Sequence, residues 1–170
     1  MVARTSIWLG MAALLGGALL WSALGGLQWG AVKARIRKEF PAVPQIRTLD
    51  LEAMLEKERP LLLDVRTQAE FDVSHLAGAR RVDPGALPDL GVAKDAPIVT
   101  YCSVGYRSSA VAQRLREAGY TRVQNLEGSI FQWANEGRPL VRDGKPAKLV
   151  HPYDAKWGRL LEKERRAEVK

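Results

Sequence analysis

Residues 98–109 read Ile98-Val99-Thr100-Tyr101-Cys102-Ser103-Val104-Gly105-Tyr106-Arg107-Ser108-Ser109. The first four form a continuous apolar and β-branched run, the mark of a strand buried on both faces. A cysteine leaves that strand, a short loop with one glycine follows, and a helix is expected over residues 108–118. Val111, Leu115 and Ala118 share one face of that helix, and Gly119 stands at its C-cap position. Working outward, Leu61-Leu62-Leu63-Asp64-Val65 repeats the buried-strand pattern. Shorter strands are expected at 79–82 and 122–124, and short helices at 68–72 and 129–136. Thr48 with Asp50 and Glu52 reads as the start of a helix that stops before Pro60. Strands alternating with helices predict the α/β class, a mainly parallel sheet with helices on both faces. Ligands of such sheets lie at the carboxyl ends of the strands, which is where Cys102 stands.

Cys102 is the chain's one cysteine, so an internal disulfide or a CxxC pair cannot form. His75 and His151 stand far apart and match no metal-ligand spacing, and no metal site is expected. A glycine-bearing loop at this position can turn several backbone N–H groups toward one point. The start of the following helix adds unpaired N–H groups and partial positive charge, and Arg107 adds a full charge. Together they should hold the Cys102 thiol below the ~8.5 of a free cysteine and also suit an oxyanion. A cysteine that only packs needs none of these neighbours. Cys102 is therefore the candidate nucleophile, with Ser103, Val104, Gly105, Tyr106, Arg107 and Ser108 as its loop. Asp64 and Arg66, at the mouth end of their strand, are candidates for shaping the site. The simpler expectation for Arg66 is a structural pair with Glu70.

Three sets of residues in this order resemble the rhodanese-like (sulfurtransferase) domain, over about residues 46–141. Leu62-Leu63-Asp64-Val65-Arg66, Glu70-Phe71 and His75-Leu76-Ala77-Gly78-Ala79 match its first signature. Cys102 to Arg107 match its active loop, and Leu126-Glu127-Gly128 with Trp133 match its last. The resemblance implies a five-stranded parallel α/β sheet and a double displacement of sulfur. Cys102 would take the sulfane sulfur of a donor such as thiosulfate, become a persulfide, and pass the outer sulfur to a thiol or cyanide. The loop amides would stabilise charge on sulfur and Arg107 would attract the anionic donor. No cofactor is implied beyond the persulfide, and the lack of a second cysteine sends the sulfur to solution or to an acceptor protein. His75 is a turn residue in this pattern, and Trp133 is expected in the core. Ser129 departs from the pattern, which usually has a second glycine there. Phosphatases on the same fold place five residues between Cys and Arg; four stand here, which suits sulfur better than phosphate. The alternative is a non-catalytic or redox-sensing module that presents a partner at a membrane, but retention of Cys102, Gly105 and Arg107 favours chemistry.

The ends of the chain differ from its middle. Of 170 residues, 46% are hydrophobic and 26% charged, a globular composition. The net charge of +7 divides unevenly. Residues 1–40 carry five Lys/Arg against one acid, residues 41–140 twelve against thirteen, and residues 141–170 nine against five. Nucleic-acid binding would place positive charge on the folded body, so no nucleic-acid partner is expected. Residues 7–32, Ile7 to Val32, hold no charge and are long enough to cross a bilayer. Residues 1–33 are read as a single-pass membrane anchor, with a cleaved signal peptide as the competitor. Lys33, Arg35, Arg37 and Lys38 follow the run and place the remaining domain on the cytoplasmic side. Residues 34–45 are read as a basic, proline-punctuated linker. Residues 142–170 are read as a basic tail with helical character over 154–168, where Trp157, Leu160 and Leu161 share a face.

Overall fold

The computed structural model describes residues 29–85 and 89–169, and the two apolar runs lie side by side at the centre of its sheet. In chain order, a helix over residues 29–39 (α1) precedes β1 (Gln45–Ile46), α2 (Thr48–Lys57), β2 (Leu61–Asp64) and α3 (Gln68–Val73). Then come β3 (Arg80–Arg81), β4 (Ile98–Tyr101), α4 (Tyr106–Glu117), β5 (Val123–Leu126) and α5 (Ser129–Asn135). A hairpin of β6 (Leu140–Arg142) and β7 (Lys145–Ala147) follows. The main sheet has five parallel strands in the order β1-β5-β4-β2-β3. This is the expected α/β architecture of a parallel sheet flanked by helices.

Alternation along the strands divides the core in two. Leu62, Val99, Tyr101 and Leu126 face one side with Ile130, Phe131 and Trp133 of α5. Leu63, Val65, Ile98 and Val123 face the other with Val111 and Leu115 of α4. Both faces are covered, which is why β2 opens on three leucines and β4 on Ile98-Val99, with apolar residues facing both ways. β2 and β4 run in register from Leu61 opposite Ile98 to Asp64 opposite Tyr101. That register sets the ends of both strands, and the loops that leave them, side by side.

Three segments differ from the sequence reading. Helix α4 begins at Tyr106, two residues before the serines, because Gly105 at φ +107° turns the chain into it. Residues 34–45, read as a linker, are helical through residue 39. Helix α1 lies on the domain: Lys33 and Arg37 both pair with Glu127, and Ile36 is buried. The expected 154–168 helix is instead two 3-10 turns, Trp157–Leu160 and Lys163–Arg165. Gly158 packs on Pro152 so closely that a Cβ there would lie 2.9 Å from the ring. The apolar face read from the sequence is nonetheless used, with Leu161 buried and Trp157 and Leu160 packed on the core. The expected membrane span lies outside the described residues except for residues 29–32. Among the described residues, no helix is long and apolar enough to cross a membrane.

Candidate active site

Cys102 follows β4 directly and is 1% exposed. The Gly105 N–H donates to its Sγ at 3.2 Å. The carbonyls of the loop are drawn the other way, since Cys102 O accepts from Ile130 N and Ser103 O from Phe131 N, each at 3.1 Å. Helix α5 thus takes the carbonyls, which leaves loop amides for sulfur. Gly105 makes the turn possible: a Cβ at its φ of +107° would lie 3.2 Å from Asn125 Nδ2 and 3.5 Å from Leu126 O.

Burial pushes the Cys102 thiol up. The charge of Arg107 and hydrogen bonding from Ser108 and Gly105 outweigh that and leave it below the ordinary range. The Ser108 hydroxyl has one proton and gives it to Asn125 Oδ1 at 2.6 Å. We therefore assign the support of the thiolate to Arg107 and the backbone N–H groups rather than to that hydroxyl.

Arg107 is held in a closed network. It pairs with Glu70 through Nη2–Oε1 at 2.7 Å and Nη1–Oε2 at 3.0 Å. Arg107 Nη2 also donates to Ser103 Oγ at 3.0 Å, and Ser103 Oγ donates to Glu70 Oε1 at the same distance. Glu70 further accepts from the Thr67 N–H and caps α3 in a capping box. Burial raises the Glu70 pKa, but the Arg107 hydrogen bonds and the Thr67 N–H dominate and bring it down to about 2. One carboxylate therefore locks the start of α3 to the cysteine loop. The expected pairing of Arg66 with Glu70 is overturned. Arg66 pairs instead with Asp64, through Nη2–Oδ2 at 2.7 Å and Nε–Oδ1 at 2.9 Å, and donates to Ser74 O at 2.7 Å. The reason is reach: both Asp64 and Arg66 are fully buried behind the strand end, whereas Glu70 faces the loop.

A cavity of about 130 Å³ opens over Cys102, lined also by Ser103, Val104, Tyr106, Arg107, Tyr153 and Trp157. Of the predicted loop, Ser103, Val104, Tyr106 and Arg107 line it with Cys102, whereas Gly105 and Ser108 stand behind the lining, as do Asp64 and Arg66. Four contributors were not assigned a site role from sequence. Local spacing predicts Arg66 as the partner of Glu70, and the structure has Arg107. Tyr153 and Trp157 belong to the tail, with the Tyr153 ring 4.8 Å from the Arg107 guanidinium. Ser129 lies beneath the loop: its Oγ accepts from Cys102 N and donates to Leu126 O, both at 3.1 Å. It does so at φ +49°, in the left-handed region where glycine is at ease. The signal was present in the sequence as the one departure from the family pattern. His75 stacks on Phe71 at 3.8 Å and bridges to Val141, as a turn residue should. Trp133 is buried and donates to Pro139 O at 2.8 Å.

The rhodanese-like domain profile matches residues 48–136, from the first residue of α2 to the C-cap of α5. The chain belongs to the rhodanese-like domain family. A sulfurtransferase of Allochromatium vinosum is 33% identical over 102 residues, which is 56% of this chain and 95% of that protein. The tRNA uridine(34) hydroxylase of Escherichia coli is 25% identical over 130 residues, 70% of this chain but 36% of that enzyme. The chain thus spans about a third of that relative's length. Among solved structures, the polysulfide-sulfur transferase homodimer of Wolinella succinogenes aligns with a TM-score of 0.55 and 25% identity, over 69% of this chain and 92% of that one. A rhodanese-related protein of Thermoplasma volcanium aligns with a TM-score of 0.52 and 26% identity, over 58% and 97%. The segment that matches the rhodanese-like domain is therefore preceded by α1 and followed by the β6–β7 hairpin and the two 3-10 turns.

Proposed function

We propose that this rhodanese-like chain is a sulfurtransferase that carries sulfane sulfur on Cys102. The observation that carries the reading is the buried Cys102 thiol, held below its ordinary pKa at the floor of an open cavity, with the Gly105 N–H on its sulfur. In the first half-reaction the Cys102 thiolate attacks the outer sulfur of a donor such as thiosulfate. The donor's S–S bond breaks, its electron pair leaves with sulfite, and Cys102 becomes a persulfide. In the second, a thiolate or cyanide attacks the outer sulfur and the Cys102 thiolate departs. Loop N–H groups stabilise charge on sulfur in both. Arg107 is committed to Glu70, so its part is to set the loop and the local potential rather than to grip the donor.

The apolar residues 7–28, ahead of the helix that lies on the domain, support a further reading, that the chain is tethered to a membrane with this domain on the cytoplasmic side. The acceptor is then a small thiol or a protein that meets the loop at the surface.

The test of the sulfur reading is an intact mass of the full chain after exposure to excess thiosulfate or methanethiosulfonate. We expect a gain of one sulfur atom, lost on cyanide treatment and absent in Cys102→Ser. A folded wild-type chain that gains no sulfur from either donor refutes the reading.

A further inference from the structure

One wall of the Cys102 cavity comes from outside the residues that match the family. Residues 150–167 close on themselves, since Val150 N–H donates to Arg165 O at 2.7 Å and Ala167 N–H donates to Val150 O at 2.9 Å. Buried Leu161 anchors the middle, and Asn135 binds the chain on both sides of it, to Leu160 O and Glu162 N. This is a compact loop, closed at its ends by those hydrogen bonds and pinned to the domain core by Val150, Trp157, Leu160 and Leu161. Its early part carries Tyr153 and Trp157 into the lining of the cavity. Tyr153 holds φ +66°, rare for a bulky residue, and its N–H donates to His151 Nδ1 at 3.0 Å. Backbone held this way persists only where its surroundings determine it, and such positions gather at binding sites.

Two observations bear on what this wall meets. Arg107, the cation in the lining, is already paired with Glu70, so a doubly charged inorganic anion finds no free guanidinium there. Tyr106 and Trp157 also line an adjoining cavity of about 430 Å³, whose other walls are Ala31, Val32, Arg35 and Ile36. An apolar cavity of about 150 Å³ is enough to hold benzene.

We propose that the closing loop selects the sulfur donor, and that the preferred donor is organic. Its sulfur head occupies the cavity over Cys102, and its apolar body lies against Tyr153 and Trp157 and into the adjoining cavity. The proposal rests on the sulfurtransferase reading. For an organic thiosulfonate the step balances without a further reagent. The Cys102 thiolate bonds to the sulfane sulfur, the S–S bond breaks, and the electron pair leaves on the sulfinate. One thiolate and one thiosulfonate anion become one persulfide anion and one sulfinate anion.

The test compares two donors of the same charge and leaving-group type, benzenethiosulfonate and methanethiosulfonate, by the rate of sulfur loading on the full chain. The wild type is expected to favour the benzene donor by about tenfold, the scale of one good aromatic contact. Trp157→Ala and Tyr153→Ala should bring that ratio down to about threefold or less, with the methane donor's rate changed far less. Tyr153→Phe keeps the ring and should keep the ratio. A wild-type ratio near one overturns the proposal, as does a ratio unmoved by either alanine variant or an equal fall with both donors. The sulfurtransferase reading survives each of those results, because sulfur still loads. Failure of both donors to load overturns both.

Discussion

Replacing Glu70 with glutamine separates two things this carboxylate does at once. Glu70 is 2% exposed and Arg107 is 28% exposed, so the pair is screened from one side only. Breaking a fully buried pair costs about 3–5 kcal/mol, and an exposed one about 0–1 kcal/mol. The geometry is bidentate, and Ser103 and Thr67 also lean on the same carboxylate. We therefore expect Glu70→Gln to lower stability by about 2–3 kcal/mol, between those limits. For a chain of this size that is a fall of about 5–10 °C in Tm. The second effect has the opposite flavour. Without the carboxylate, the Arg107 charge is no longer balanced and favours the Cys102 thiolate more strongly. The midpoint of thiol alkylation against pH should therefore move down while stability also falls. The assays are urea denaturation and the pH dependence of iodoacetamide alkylation. A cycle with Arg107→Gln should show about 2 kcal/mol of coupling. Unchanged stability, or an alkylation midpoint that moves up, would refute the account of Glu70 as partner and counter-charge of Arg107.

The acid limb of stability follows from the same group. The folded Glu70 pKa, about 2, lies below its unfolded value, so the unfolded chain binds the proton first. Its contribution is complete above about pH 4.5 and lost as pH falls toward 2, and Glu70→Gln should flatten that stretch of a stability–pH curve. At Ser129, alanine keeps the left-handed backbone but leaves the Cys102 N–H without its acceptor, whereas glycine relieves the backbone. Ser129→Ala should lose about 2 kcal/mol and Ser129→Gly about 1 kcal/mol less than that, measured by urea; the reverse order would contradict the hydrogen-bond and strain argument. Gly105→Ala must place a Cβ against Asn125 and Leu126 O at an unfavourable φ, and we expect sulfur loading to drop by at least about tenfold while α4 still forms, read by circular dichroism. Tyr101→Phe leaves the buried Leu76 N–H without the phenol oxygen it meets at 3.1 Å and should lose about 1–3 kcal/mol, against which an unchanged denaturation midpoint would count.

What was legible in the sequence is what local chemistry dictates. Leu61–Leu63 and Ile98–Val99 are apolar at successive positions because both faces of their strands are covered, and that pattern needs no knowledge of partners. Cys102, Gly105 and Arg107 stand within six residues of one another, so the thiol, the turn and the charge of the loop were readable together. The partners of those groups come from elsewhere in the chain. Glu70 lies 37 positions before Arg107 and only four after Arg66, and local spacing favoured the wrong arginine. Ser129 lies 27 positions beyond the Cys102 N–H that it receives. Tyr153 and Trp157 reach the cavity because a loop closes on Val150 and Leu161, where the short-range pattern predicts helical character over 154–168 and says nothing of Tyr153. Such pairings depend on the register of β2 against β4, which sets the start of α3 beside the cysteine loop, and on which face of the sheet each connection crosses. The chemistry of the nucleophile was therefore written locally, while its counter-charge, its backbone support and the wall that meets its donor were decided by the packing of distant segments.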